Sequence, residues 1–130
     1  EVQDMRVHAA LTVYPQPIGF QAEYNIGRGP ELVDGTHVDD RPLHGGYAMV
    51  MAQVADFFPY VRGILYEGGR KFETNAPHYS VRELEIGTEW RPFSALELTA
   101  AYTFAERTYP EAPYPQERGR YVRLQVQFNY

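Results

Sequence analysis

The chain has 130 residues, a formal net charge of −5 and no cysteine. This length suits one domain of ordinary size, and the acidic balance argues against a general nucleic-acid binder, which carries a basic patch. The lack of cysteine excludes a disulfide framework and a cysteine-based metal site. No apolar run approaches the roughly 18 residues of a membrane-spanning helix, so no transmembrane helix is predicted in this sequence.

Hydrophobic and polar residues alternate along seven segments, and no segment has a sustained helical period. This alternation predicts an all-β, antiparallel chain in which each strand has one apolar face and one polar face. The fifth segment is the clearest, since Leu84, Ile86 and Trp90 alternate with glutamates. The predicted strands are residues 2–14, 18–28, 46–55, 60–67, 79–91, 96–109 and a last segment that follows a loop at 110–119 and ends at Tyr130.

The connections between these strands alternate in length. Bacterial outer-membrane barrels have this asymmetry, with short periplasmic turns and longer outer loops, and their tilted strands need about 9–11 residues. We therefore predict that residues 1–130 are the C-terminal portion of a single up-and-down transmembrane β-barrel domain, with no separate domains. Because such barrels have an even number of strands, residues before Glu1 or other chains are expected to complete it. Short turns are predicted at 15–17, 56–59 and 92–95, and longer polar loops at 29–45, 68–78 and 110–119.

Aromatic residues make up 15% of the chain and gather near both ends of the predicted strands. Two such groups are typical of the aromatic girdles that flank the lipid-facing band of a membrane barrel. The apolar face is therefore predicted to meet lipid. The group near the short turns is Tyr14, Phe57, Phe58, Tyr60, Trp90 and Phe93, and the group near the long loops is Tyr66, Tyr79, Phe104 and Tyr109.

Alternation alone does not decide which face of the sheet is inside, and two other interpretations stay open. A soluble β-barrel or sandwich that binds a small apolar ligand would turn its apolar face inward. A non-conducting outer-membrane scaffold would keep the barrel but carry no current. The soluble interpretation requires an interior that contains Leu84, Ile86, Trp90, Leu98 and Phe128.

The last residues, RLQVQFNY, resemble the assembly signal of outer-membrane proteins. In those proteins a terminal aromatic residue follows alternating hydrophobic residues, and the barrel-assembly machinery in the periplasm reads the signal. Tyrosine stands here in place of the usual phenylalanine. The matching positions are Leu124, Val126, Phe128 and Tyr130.

Most of residues 43–130 resembles the C-terminal part of the porin O and P family, often called phosphate-selective porins. The resemblance implies a trimeric porin of roughly 16 strands with a solute-conducting lumen in the outer membrane of a Gram-negative bacterium. The seven predicted strands would be roughly the last half of that barrel. The segments that carry the resemblance are LHGGY (43–47), PYVRGILYEGGRK (59–71), ELEIGTEWRPFSALELTAAYT (83–103) and the terminal strand.

The polar face carries the residues that we expect to line the lumen of a passive diffusion channel. Together with Asp4 and Glu97 they make a wall that is acidic on balance; carboxylates favour cations, whereas basic ladders, which the anion-selective porins carry, favour anions. We expect Arg62 and the glutamates of the fifth strand to form a local field. Neutralising Glu85 with Glu89 is expected to shift ion selectivity towards anions. The predicted pore-lining residues are Arg6, His8, Glu23, Arg62, Glu83, Glu85, Glu89 and Arg123.

No pattern in the chain predicts catalysis, a metal or a cofactor. The three glutamates of the fifth strand are interpreted as an arginine-paired wall and not as an acid–base pair. Ser80 and Ser94 have no nucleophile motif around them. The chain is therefore predicted not to be an enzyme. Four further residues match no metal-ligand spacing and are predicted to lie in one hydrated loop: His37, Asp39, Asp40 and His44.

Overall fold

A computed structural model describes residues 4–33, 37–69, 78–110 and 116–129 of the chain. It confirms the predicted all-β architecture, since seven strands pair antiparallel in sequence order within one open sheet. In the described ranges, no helix is long and apolar enough to cross a membrane. The strands are β1 (Met5–Val13), β2 (Ile18–Val33), β3 (His37–Ala52), β4 (Phe57–Gly68), β5 (Tyr79–Phe93), β6 (Leu96–Thr108) and β7 (Glu117–Phe128).

The hairpin of β2 and β3 is much longer than predicted. Its ladder runs without interruption to the pair Val33↔His37, so the predicted loop over residues 29–45 is wrong. Proline content misled the prediction, because Pro30 and Pro42 lie where their strands have a partner on one side only: β1 pairs with β2 as far as Arg28, and β4 pairs with β3 from His44 onwards. A strand that is locally at an edge tolerates a residue without a backbone N–H.

The turn between β3 and β4 also lies earlier than the predicted 56–59. Val54 and Phe57 form an isolated bridge with N···O distances of 2.9 and 3.0 Å, and Ala55 between them has a φ of 54°. Strand β4 therefore begins at Phe57, with Pro59 inside it. The seventh strand likewise begins at Glu117, inside the loop predicted at 110–119.

The two faces of the sheet differ in chemistry and in exposure. We use the name polar face for the side of the sheet that carries Glu85. It includes the register partners of Glu85 on the other strands, and every second residue along each strand from those positions. The largest fully buried side chains among the described residues, Glu85 (2% exposed) and Thr103 (0%), lie on this face. The opposite, apolar face keeps large hydrophobic side chains exposed, up to 77% for Leu124. The polar side is therefore the more enclosed one. Four side chains that the soluble interpretation requires inside lie exposed on the apolar face: Leu84, Ile86, Trp90 and Phe128.

The apolar face forms a band that crosses the sheet obliquely. In β1 the apolar positions run from Met5 to Val13, and in β7 they run from Val122 to Phe128. The register of the six strand pairs connects Val13 to Val122 through Phe20, Val50, Val61, Ile86 and Tyr102. The last apolar residue of β1 is thus level with the first apolar residue of β7.

Tyrosine rings cover several strand glycines, and the closest case is Tyr60 over Gly87. A Cβ atom at Gly87 would lie 2.6 Å from both the Cζ atom and the hydroxyl oxygen of Tyr60, and 2.9 Å from the carbonyl oxygen of Ala100. The two residues are directly opposite in the ladder between β4 and β5. This packing requires glycine and helps to define the register of the two strands.

Replacing Gly87 by alanine is expected to lower the free energy of unfolding by about 1–3 kcal/mol, because Tyr60 and the β6 backbone must move to accept the methyl group. Urea titration of the detergent-folded protein, followed by tryptophan fluorescence, measures the change. Gly63→Ala is the matched control, since a Cβ there meets nothing within 4 Å. Equal effects of the two substitutions would contradict the packing argument.

Candidate functional site

The polar face brings four hydrogen-bond donors onto the buried carboxylate of Glu85. Its Oε1 atom accepts from Nη2 of Arg62 at 2.8 Å, from the Tyr60 hydroxyl at 2.9 Å and from Nη2 of Arg123 at 3.2 Å. Its Oε2 atom accepts from the Thr103 hydroxyl at 3.2 Å. We call these five residues the Glu85 cluster. It contains two guanidinium groups and one carboxylate, so its formal charge is +1.

Strand register explains why these residues meet. Arg62 and Thr103 lie directly opposite Glu85 on its two neighbouring strands. Arg123 comes from β7, three strands from Tyr60, yet its Nη2 atom lies 3.3 Å from the Tyr60 hydroxyl. Strand axes are about 4.8 Å apart, so these two strands are separated by roughly 14 Å in the sheet. The two long side chains converge above β5 and β6 and bury the carboxylate between them.

A second charged group lies nearer the short turns and has the opposite balance. The Arg91 guanidinium forms ion pairs with Glu89 and, at 3.5 Å, with Glu97. The same guanidinium stacks over the ring of Phe58, with 4.7 Å from its carbon to the ring centre. We call Glu89, Arg91 and Glu97 the Arg91 cluster. Its two carboxylates and one guanidinium have a formal charge of −1.

A cavity of about 260 Å³ lies on the polar face between the two clusters. Apolar side chains form one wall, and members of both clusters form the others. This part of the polar face carries charges of both signs together with apolar side chains, whereas the sequence predicted a wall that is acidic on balance. The apolar residues that line the cavity are Met49, Met51 and Phe58, and the uncharged polar ones include Thr99 and Gln125.

Histidines and glutamates form a further group near the long loops. The Nε2 atom of His44 lies 3.5 Å from Glu67, and its Nδ1 atom lies 3.1 Å from the Tyr24 hydroxyl. His78 lies 3.4 Å from Glu31 and 3.7 Å from Glu67. Within the ranges that the structure describes, no three such side chains are arranged to hold a metal ion.

The predicted hydrated loop of histidines and aspartates is wrong as a structural assignment. These residues belong to β3, because the ladder with β2 continues to the end of the hairpin. Polar residues pair in a ladder as well as apolar ones do, since the backbone makes the bonds. The residues concerned are His37, Asp39, Asp40 and His44.

The eight predicted pore-lining residues share the polar face, but only Arg62, Glu85 and Arg123 come together in one cluster. Glu89 belongs to the Arg91 cluster. Sequence reasoning did not predict Tyr60 and Thr103 as members of the cluster. The register between neighbouring strands brings them to Glu85, and the periodicity of a single strand does not reveal that register. The remaining members have partners elsewhere on the face: Arg6 with Asp4 at 3.3 Å, His8 with Glu23 at 3.1 Å and Glu83 with Tyr121 at 3.4 Å.

The aromatic residues of the two predicted groups divide between the two faces of the sheet. Phe57 and Trp90 stack on the apolar face with ring centres 5.8 Å apart. Phe58, Tyr60 and Tyr66 lie on the polar face, in register with Glu89, Gly87 and Gly45. Successive side chains of a strand point to opposite sides, so a run of adjacent aromatics divides between the faces. Of the proposed assembly signal, Tyr130 lies outside the described residues, and Leu124, Val126 and Phe128 are exposed on β7.

Comparison with protein-family models, with curated proteins and with solved structures finds no match for this chain. The chemistry of the polar face is therefore the basis for a function. Glu85 is buried, and its carboxylate is held by four hydrogen bonds, two of them from guanidinium groups. The exposed part of Arg123 and the cavity beside it are accessible to small solutes.

Proposed function

We propose that this chain forms part of a β-barrel in the bacterial outer membrane and that its polar face lines a passive diffusion channel for small hydrophilic or ionic solutes. One observation carries the proposal: large hydrophobic side chains are exposed on one face, while the buried polar side chains Glu85 and Thr103 lie on the other. In water that arrangement is unfavourable, because each exposed hydrophobic side chain lacks the roughly 1.5–3 kcal/mol of stability that its burial would contribute. In lipid it is the expected one.

The enclosed face supports a water-filled lumen. Its charges form ion pairs between strands, and the cavity between the two clusters stays open. A channel of this kind needs no catalytic residue, because the radius and charge of its narrow part select the solute. The soluble interpretation is disfavoured, since it requires Ile86 and Phe128 in an interior, and both are at least half exposed.

The resemblance to the porin O and P family adds the rest of the proposal. It implies a larger trimeric barrel surrounded by outer-membrane lipid and inserted by the barrel-assembly machinery. The family's name points to anions, whereas the mixed charges of this polar face favour weak selectivity. We propose a general channel and not a dedicated phosphate pore.

The test begins with outer-membrane and soluble fractions, boiled and unboiled, on one gel probed with an antibody to residues 110–130. A membrane band whose mobility changes on boiling supports the barrel, and a soluble band contradicts it. Planar-bilayer recording of the extracted protein then separates a channel from a scaffold, because a scaffold produces no current steps.

Replacing both Glu89 and Glu97 by glutamine is expected to shift the reversal potential in a salt gradient towards anions, since two lumen carboxylates lose their charge while Arg91 keeps its own. The matched control is Glu67→Gln, which removes one carboxylate from the other face and should leave the potential unchanged. An unshifted potential in the double variant would remove these residues from the conducting path.

A further inference from the structure

We infer that the cavity between the Glu85 cluster and the Arg91 cluster binds zwitterionic solutes of about dipeptide length, with an apolar side chain. The inference rests on the proposed channel and names the solute class that this part of the polar face is built to hold. It follows from the opposite charges at the two ends of the cavity, the distance between them and the nature of one wall.

The two ends of the cavity carry net charges of opposite sign. Arg62 and Arg123 share the single carboxylate of Glu85, so a guanidinium charge is left over at that end. Glu89 and Glu97 share the single guanidinium of Arg91, so a carboxylate charge is left over at the other. A carboxylate on a solute would neutralise the positive charge at the first end, and an ammonium group would neutralise the negative charge at the second.

The distance between the ends matches a short peptide. Arg123 is in register with Gly87 through Ala101, two residues from Glu89 along β5. Glu85 is four residues from Glu89. At about 3.3 Å per strand residue, the opposite charges are separated by roughly 7–13 Å. Two extended residues span roughly 7 Å, and a hydrogen bond adds roughly 3 Å at each end. A dipeptide therefore bridges separations of up to roughly 13 Å, whereas a single amino acid covers only the short end of this range.

The apolar wall of the cavity distinguishes such a solute from an inorganic ion or a sugar. Met49, Met51 and Phe58 line the space between the two charged ends. Methionine is unbranched and polarizable, and it adapts to apolar groups of different shapes. This wall suits an aliphatic or aromatic side chain, and the carboxylates at the second end repel a simple anion.

The charged groups remain accessible to a solute. The Arg123 side chain is 42% exposed and that of Arg91 is 52% exposed, although both already make ion pairs. Arg123 bonds Tyr60 and Glu85 through Nη2, and a guanidinium group carries five N–H donors. Arg123 can therefore bind a solute carboxylate without releasing the buried Glu85.

The test uses single-channel recording of the full protein with three probes: leucyl-alanine, its N-acetyl form without the ammonium charge, and its C-terminal amide without the carboxylate. We expect leucyl-alanine to interrupt the ion current reversibly. Each capped form should need a concentration about tenfold higher, the equivalent of about 1.4 kcal/mol for one lost charge-assisted contact. Equal interruption by all three probes, or none in an open channel, overturns the inference.

Two variants assign the ends of the site. Arg123→Gln should remove the preference for leucyl-alanine over its amide, and Arg123→Lys should restore it. Glu89→Gln should remove the preference over the N-acetyl form. Glu106→Gln, on the apolar face beside Arg118, should keep both preferences. The gel shift on boiling checks that each variant folds.

Failure of the channel and failure of the site give different results. A protein without current steps contradicts the proposed channel. In that case isothermal titration of the detergent-folded protein with the same three probes measures binding directly. Selective binding of leucyl-alanine then supports the site without the channel, and no preference among the three probes overturns the site as well.

Discussion

Replacing Ile86 by arginine is expected to reduce the stability of the protein in a bilayer by about 2–4 kcal/mol, the cost of a basic residue at the midplane of a barrel's lipid face. Ile86 lies on the apolar face, in register with Val61 and Tyr102. Its side chain is half exposed and has apolar neighbours on both adjacent strands. An arginine there places a charge in the middle of the proposed hydrocarbon contact, beyond easy reach of either water layer.

The measurement is urea titration of the protein folded into phospholipid vesicles, read by the band shift on an unboiled gel. Thr108→Arg is the matched control, because Thr108 ends β6 near the long loops and arginine near an interface costs only about 0–1 kcal/mol. If both variants lose the same stability, the apolar face is not a lipid contact. The same conclusion follows if Ile86→Arg makes a soluble protein that folds normally.

Replacing Glu85 by alanine is expected to have the largest effect on the polar face, with a loss of about 3 kcal/mol or more in the free energy of unfolding. Four donors lose their acceptor at once, and two guanidinium groups are left close together without a carboxylate between them. Removing one partner of a buried ion pair costs more than the pair itself contributes, because the remaining charge stays desolvated.

Glu83→Ala is the matched control on the same face of the same strand. Glu83 makes one long hydrogen bond, at 3.4 Å to the Tyr121 hydroxyl, and its loss should cost within about 1 kcal/mol. A double variant with Arg62→Met should recover part of the stability lost in Glu85→Ala, since one unpaired charge is removed. Indistinguishable urea midpoints for Glu83→Ala and Glu85→Ala would contradict the Glu85 cluster as a stabilising network.

The number of strands and the division into faces follow from the sequence because side chains alternate with a period of two. In β5 this pattern predicts the faces of Ile86 and Glu85 correctly. Strand ends are less predictable, as β2 and β3 demonstrate. Beyond the apolar band the alternation of apolar and polar residues disappears while backbone pairing continues. The composition of residues 29–45 therefore suggests a loop, although the backbone of β2 and β3 forms a ladder there.

The site is predictable only as far as face assignment allows. Arg62 and the glutamates of the fifth strand were expected to interact, and Arg62 does bond Glu85. The contribution of Tyr60 depends on the register between β4 and β5, which places Tyr60 opposite Gly87 and two residues from Arg62. The opposite charges of the two clusters depend on pairings between strands that no single-strand pattern contains.

The oblique course of the apolar band has a consequence for how the strands stand in a membrane. The middle of the band is Ala9 in β1, which is in register with Arg118 of β7, but the middle of the β7 apolar residues is seven positions further on, at residue 125. Seven residues correspond to roughly 23 Å along a strand, and six strand spacings correspond to roughly 29 Å across the sheet.

If the band lies parallel to the bilayer plane, these lengths incline every strand by about 39° from the membrane normal, within the roughly 35–45° of closed outer-membrane barrels. The inclination thus follows from the sequence, because the centre of the apolar band shifts by just over one residue from each strand to the next. We call this shift the drift of the band. Any strand that pairs with the free edge of β1 or β7 must continue that drift. In the proposed membrane orientation, a partner strand without this drift would carry its charged residues into the hydrocarbon layer.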